Sequence, residues 1–268
     1  MGLSINSNIP ALGAGRQAQK SAGLLSKMLK QLSSGLRINQ AADDAAGLAI
    51  AERFSTQIRA GQVEVNSLQS GINVIQTAEG GLGVQQDAVQ RLRELSLQAA
   101  NGTLSDENRE AINLEAQQIL DQIGDVANDT EFNGQNLLAE DTTIDLGTQG
   151  GGQINITEST PDSLGIAAID LSTAAGATAA ANQADVALAQ ISQGQAALGA
   201  QQNRLSSAIN QRETAILAAQ ESESQIRDLD VAAAATELTR NNLLLQGSIS
   251  TLLQSNINSQ SAVRLLGN

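Results

Sequence analysis

Apolar residues return at alternating steps of three and four along most of this chain. Between Ala11 and Leu36, the residues Leu25, Met28, Leu29, Leu32 and Leu36 fall on one helical face and form a narrow stripe that needs a partner helix. The preceding MGLSINSNIP is polar with scattered apolar positions and is expected to be disordered on its own. After a turn-like SSGLRIN, a heptad register runs through Phe54, Ile58, Gly61, Val65, Leu68, Ile72, Ile75, Glu79, Leu82, Gln86 and Val89. Eight of these eleven positions are apolar, a density that points to a coiled-coil seam. A continuous helix from Asp43 to Ala99 would extend about 85 Å, so the pattern predicts a rod. Asn101-Gly102 stops it, Ser105 starts another helix, and Ile112, Ala116, Ile119, Ile123 and Val126 mark that helix's buried face as far as about Ala127. It should fold back antiparallel.

Between Asn128 and Ala175 the helical period is lost. Ile144/Leu146 and Ile154/Ile156 alternate in steps of two around Gly150-Gly151-Gly152, which predicts a β-hairpin within about 140–171. Heptads return from about Asn182, through Leu188, Ile191, Leu198, Leu205, Ile209, Ile216 and Ile226, with Gln195, Gln202, Arg212 and Glu223 in other seam slots. This is the expected partner of the first long helix. The tail then presents Leu245, Ile249, Leu252, Leu253, Ile257, Val263 and Leu266, the expected complement of the N-terminal stripe. The fold class that follows is mainly α: an elongated antiparallel helical bundle or coiled coil with paired N- and C-terminal helices and a small β-hairpin at its tip. The terminal stripes lack any other partner except copies of themselves, so they are expected to stay disordered until the chain assembles.

Composition sharpens this picture. Hydrophobic residues make up 41% but aromatic ones 1%, from Phe54 and Phe132 alone; small aliphatic side chains suit narrow helix–helix seams better than a wide globular interior. With only two prolines, long helices can run uninterrupted. The net charge of −13 is unevenly spread: residues 1–42 carry Arg16, Lys20, Lys27, Lys30 and Arg37 and no acid, and residues 241–268 carry only Arg264. Two chemically similar ends therefore flank an acidic middle. This divides the chain into a terminal-helix domain, 1–42 with 241–268, and a helical-rod domain, 43–180 with 181–240.

The same composition excludes several function classes. The chain has neither Cys nor His, which removes thiol nucleophiles, imidazole bases and the commonest zinc ligands. Overall acidity and scarce aromatics argue against nucleic-acid binding. No apolar run approaches the roughly 20 residues needed to cross a bilayer, and the N-terminus lacks the pattern of a conventional signal peptide. Asp43-Asp44 could be a carboxylate pair for acid/base or metal work, but no basic partner or second ligand cluster accompanies it; helix-start acids facing the dipole are the simpler reading. Gly80-Gly81-Leu82-Gly83 and Gly150-Gly151-Gly152 lack the Lys-Ser/Thr of a phosphate cradle. Neither a cofactor nor a metal nor an enzymatic activity is expected.

One family accounts for the order of these features. QLSSGLRINQAADDAAGLAIAERF (31–54), NVIQTAEGGL (73–82), VQRLRELSLQAANGTLS (89–105), TEFNGQNLLA (130–139), RLSSAINQ (204–211) and the LLLQ and AVRLL elements of 243–266 closely resemble the bacterial flagellins. The resemblance covers roughly 1–140 and 180–268. It implies a self-polymerising filament subunit, in a short form that keeps only the terminal-helix and helical-rod domains. It also implies export, unfolded, through the flagellar type III channel, with an export chaperone and the filament cap and junction proteins as partners. The self-assembly residues would be Leu25, Met28, Leu29, Leu32, Leu36, Leu245, Ile249, Leu252, Leu253, Ile257, Val263 and Leu266. In this family an Arg-x-x-x-Leu face and a Glu on the next helix contact toll-like receptor 5; Arg91, Leu95 and Glu115 match by alignment. The alternatives are a hook–filament junction protein, disfavoured by the match at 31–54 and the short middle, and a chemoreceptor-type signalling coiled coil, which would need a membrane span.

Overall fold

A polar cap and a glycine stop delimit the first helix. In the computed structural model, which describes residues 8–147 and 152–266, the last five of them by backbone alone, α1 runs Ile9–Ser34. The Asn8 side chain accepts the Ala11 N–H at 3.1 Å, and Pro10 occupies the first turn, where its missing N–H would have had no helical partner. Gly35 ends the helix at φ 71°, a left-handed conformation that a Cβ disfavours. The connector then leads to α2, Ala45–Ala99. Asp44 accepts the Gly47 N–H at 2.9 Å, and Asp43 accepts from the Asn39 and Gln40 N–H groups while pairing with Lys27 of α1 at 2.9 Å. The Lys27 hydrogen bond, then the Asn39 amide, hold the Asp43 carboxyl below the usual carboxylate range. Asp44 thus caps the start of α2, while Asp43 ties the connector to α1.

The next turn carries a device the sequence reading missed. α3, Asp106–Asp129, opens with Ser105 accepting the Asn108 N–H and with Asp106 and Glu107 in its first turn. Arg109 is buried there. Its Nε donates to the Ala99 carbonyl at 3.0 Å, Nη2 to the Asn101 carbonyl at 3.1 Å, and Nη1 pairs with Asp106 at 3.0 Å. Carbonyls at a helix C-terminus lack helical partners, so this one side chain closes α2 and aims α3.

Two short hairpins follow. β1, Glu131–Phe132, pairs with β2, Gln135–Asn136, across Asn133-Gly134, both at positive φ (53° and 78°), as a two-residue hairpin loop requires. This hairpin was not expected from the alternation, because two-residue strands carry no readable period. β3, Thr142–Asp145, pairs antiparallel with β4, Gln153–Ile156, with Ile144 opposite Ile154. The expected hairpin is therefore present; Gly150 and Gly151 of its loop lie outside the described residues, as does MGLSINS at the N-terminus. α4, Ala174–Arg227, begins ahead of the expected Asn182. The extra turns bury Ala177, Ala180 and Ala181; alanine forms helix well but marks no hydrophobic face. α5 is Val231–Leu266.

The chain forms two compact units, Met1–Ile58 with Leu217–Asn268, and Arg59–Ile216. These divide the helices at places different from the charge breaks at 42 and 240. The second unit packs α2, α3 and α4 around one core. Leu68, Ile72, Ile75, Leu82 and Val89 from the expected register are buried, and so are Ile112, Ala116, Ile119 and Ile123 of α3 and Ile191, Leu198 and Leu205 of α4. Ion pairs Glu64–Arg212 and Arg93–Asp185 run α2 antiparallel to α4. A second stripe on α2, Val74, Ala78, Leu92 and Ala99, is buried as well. In the first unit, α1 packs along α5. Within the described residues the terminal segments are helical and pair with each other along one narrow seam, the complement expected of the two stripes.

Candidate assembly interface

The α1–α5 seam follows one heptad on each side. From α1 come Ala11, Ala14, Ala18, Ser21, Leu25, Met28 and Leu32; from α5 come Leu238, Asn241, Leu245, Ser248, Leu252, Ser255 and Ser259, all buried or half-buried. Small residues predominate toward the start of α1, where a Cβ added at Gly15 would make ordinary contact with the Leu252 side chain at 3.6 Å. The far end is tied by Asn8 Nδ2 donating to the Ser255 carbonyl at 3.2 Å. Polar groups enter the seam at Ser21, Asn241 and Ser248. Asn241 Nδ2 donates to the Glu237 carbonyl at 2.9 Å and meets Met28 Sδ at 3.4 Å.

The candidate assembly residues thus separate into two sets. Leu25, Met28, Leu32, Leu245 and Leu252 face the seam inside one chain; Leu36 lies beyond α1, bridged to Asp228. Leu29, Ile249, Leu253 and Ile257 face outward, Ile257 being 56% exposed. The side chains of Val263 and Leu266 lie outside the described ones. The outward face also includes Leu12, Leu24, Leu243 and Leu244, which the sequence reading passed over. Their signal was available in the Leu243-Leu244-Leu245 run, which one seam cannot absorb because consecutive residues point to different sides of a helix. No carboxylate shares residues 1–42 or 241–268 with this surface. Were it covered by another apolar surface, no acid would have to be stripped of water.

The three receptor-matched residues do not form one surface. Arg91 on α2 is exposed and pairs with Glu115 of α3, Nη2 to Oε1 at 2.8 Å, and with Glu94 at 3.2 Å. Glu115 first, then Glu94, raises the guanidinium pKa above its usual value. Leu95, in contrast, is 1% exposed and belongs to the core. It lies with Leu92 and Ala99 on the second inward stripe of α2, so its side chain is not on the surface that Arg91 and Glu115 share.

Other chemistry is sparse. Among the described residues no group of three or more His, Cys, Asp or Glu could hold a metal ion. No described helix is long and apolar enough to cross a membrane. Gly81 is a packing residue, since a Cβ there would lie 2.6 Å from Thr130 Oγ1 and 2.8 Å from Leu138 Cδ1.

Comparison with known proteins accounts for this arrangement. Residues 5–143 match the bacterial flagellin N-terminal helical region and residues 181–266 the bacterial flagellin C-terminal helical region. A flagellin from Halalkalibacterium halodurans is 39% identical over 98% of this chain and all of its own length. One from Bacillus subtilis is 36% identical over the same shares. The structure of a putative flagellar hook-associated protein from Vibrio parahaemolyticus, 14% identical, superposes with a TM-score of 0.59 over 69% of this chain and all of its own, a likeness of fold alone. With both helical regions matched and full-length relatives above the identity at which family is secure, the chain belongs to the bacterial flagellins, the structural subunits that polymerise into the flagellar filament.

Proposed function

We propose that this filament subunit divides its work between its two chemical regions. Residues 1–42 with 241–268 supply the contacts between subunits and line the inner tube of the filament. Residues 43–180 with 181–240 carry the folding of the monomer. The observation behind this reading is the set of exposed apolar side chains, Leu12, Leu24, Leu29, Leu243, Leu244, Ile249, Leu253 and Ile257, on a helix pair whose seam is already filled. Burying a Leu or Ile side chain contributes roughly 1.5–3 kcal/mol, so a surface repeated at every subunit supports a strong lattice.

By family resemblance, the subunit leaves the cell unfolded through the flagellar type III channel, escorted by an export chaperone, and is placed beneath the filament cap beyond the junction proteins. The mature product is extracellular and serves swimming motility. Also by resemblance, the exposed Arg91–Glu115 pair is the part of this chain that toll-like receptor 5 would meet, with Leu95 acting from below by supporting the helix face.

Seeded assembly of the full-length chain tests the division. Ile257→Glu should abolish elongation from seeds, because a desolvated carboxylate costs several kcal/mol at every subunit, while its monomer melts as the parent does. Filaments from Ile257→Glu at the parent rate would remove the outward face from the assembly interface.

A further inference from the structure

The two strands of the β3–β4 hairpin differ in charge. β3 carries Asp145 and is preceded by Glu140 and Asp141, whereas the chain has no charged residue from Gly147 to Thr157. A strand edge presents N–H and C=O groups that template pairing with another chain, and charged residues are a common guard against it. β4 lacks that guard. Its Gln-Ile-Asn-Ile-Thr run, 153–157, joins β-formers to side-chain amides, a composition that pairs readily between molecules.

The pairing of the hairpin decides which groups of β4 point away from β3. The Leu146 N–H donates to the Gly152 carbonyl at 2.9 Å, and Ile144 and Thr142 lie opposite Ile154 and Ile156 further along. Antiparallel bonding alternates, so Gln153 and Asn155 turn their backbone groups outward. There they meet α4. The Asn155 N–H donates to Gln201 Oε1 at 2.9 Å, and Gln201 Nε2 donates to the Asn155 carbonyl at 2.9 Å. One side-chain amide thus takes the place of a neighbouring strand's peptide group, as donor and as acceptor. Arg204 Nη2 donates to the Gln153 carbonyl at 2.7 Å. Three residues of helix advance about 4.5 Å and two residues of strand about 6.6 Å; the longer arginine side chain spans the difference.

The hairpin is seated separately on its inner face. Ile154 and Ile156 are buried in the core, and Gly71 of α2 makes room for them: a Cβ there would lie 2.6 Å from Leu146 Cδ1 and 3.0 Å from Ile154 Cδ1. The bonds from α4 are therefore not needed to bury the hairpin. They occupy its edge.

We propose that Gln201 and Arg204 determine the specificity of subunit association by closing the outer edge of β4, so that copies of this chain do not join through strand pairing at the hairpin. This guard lies wholly within the second unit and is independent of the exposed apolar residues on the terminal helices.

Full-length monomer, without seeds, is compared with the double variant Gln201→Leu/Arg204→Met. Hydrogen exchange at the Asn155 amide should accelerate about five- to tenfold, the loss of one hydrogen bond, while the Ile154 and Ile156 amides change little. On incubation the variant should form thioflavin-T-positive oligomers while the parent stays monomeric by size-exclusion chromatography. Asn155 is exposed, so adding Asn155→Lys sets a charge on the opened edge and should suppress those oligomers. Asn155 exchange at the parent rate, or faster exchange without oligomers, would overturn the proposal. Oligomers that survive Asn155→Lys would overturn it too, because they would not run through β4. Should the double variant lose helicity by circular dichroism, Gln201→Leu alone decides on the same readouts. Because the oligomers are scored without seeds, filament growth by Ile257→Glu would count against the assembly reading alone.

Discussion

Truncating Leu95 separates the core packing seen in the structure from the receptor contact implied by resemblance. Leu95 is 1% exposed and sits in the continuous core of α2, α3 and α4. Leu95→Ala removes buried carbon that neighbours on three helices cannot easily fill, at a cost of about 2–5 kcal/mol. Taking about 3 kcal/mol, and roughly 2–4 °C per kcal/mol for a unit of this size, the melting temperature should fall by about 6–12 °C. Leu97, two residues on, is 52% exposed; Leu97→Ala should stay within about 0.5 kcal/mol of the parent. The assay is thermal and urea unfolding of each monomer, followed by far-ultraviolet circular dichroism. Receptor activation by Leu95→Ala should fall only as far as its folded fraction falls, whereas Arg91→Ala should reduce activation with unchanged melting. A Leu95→Ala chain that melts with Leu97→Ala would show that Leu95 is not a core residue, and the reasoning from burial would fail.

Gly81→Val should destabilise the second unit by about 1–3 kcal/mol through overpacking, because its Cβ would lie 2.6 Å from Thr130 Oγ1; Gly80→Ala, with nothing within 4 Å, is the control in the same urea titration, and equal midpoints would refute the close approach. Arg109→Met should cost about 1–3 kcal/mol by leaving the buried-end Ala99 carbonyl without the Arg109 donor and the Asn101 carbonyl with the Leu104 N–H alone, seen as a lower urea midpoint and faster hydrogen exchange around 101–106. The Asp43 carboxyl is held below its ordinary value by Lys27 and the Asn39 amide. Its stabilising effect is therefore complete above the unfolded value of about 3.9 and lost as pH falls through the lower folded value. Protection of the Asn39 and Gln40 amides against exchange should decline below about pH 4 in the parent and show no such step in Asp43→Asn.

The long helices were legible because each keeps one hydrophobic face over many turns. In α2 the positions Leu68, Ile72, Ile75, Leu82 and Val89 both repeat in heptads and are buried. Where a residue type carries no polarity signal, legibility ended: the alanines of 174–187 hid the start of α4. Polar residues committed to the interior were also invisible. Gln85 is fully buried, donating to the Ile123 and Ser159 carbonyls at 3.2 and 2.8 Å and accepting from Ser159 Oγ at 2.6 Å, yet in the sequence it is one glutamine among many. Such a side chain is stable inside only because its partners arrive from distant segments.

Local patterning by itself determined which stretches are helical, where polar caps and glycines end them, and that the two acid-free ends belong together, since helix periodicity and charge depend on residues a few positions apart. Only the tertiary structure decided which edge of each terminal helix is spent inside the chain and which is left outward, that Leu95 turns into the core, and that Gln201 reaches the outer edge of β4. Each of those outcomes depends on how one helix is rotated against its neighbour. A rotation of one residue's worth exchanges a seam position for a surface one, and the spacing along a single helix is the same in either case.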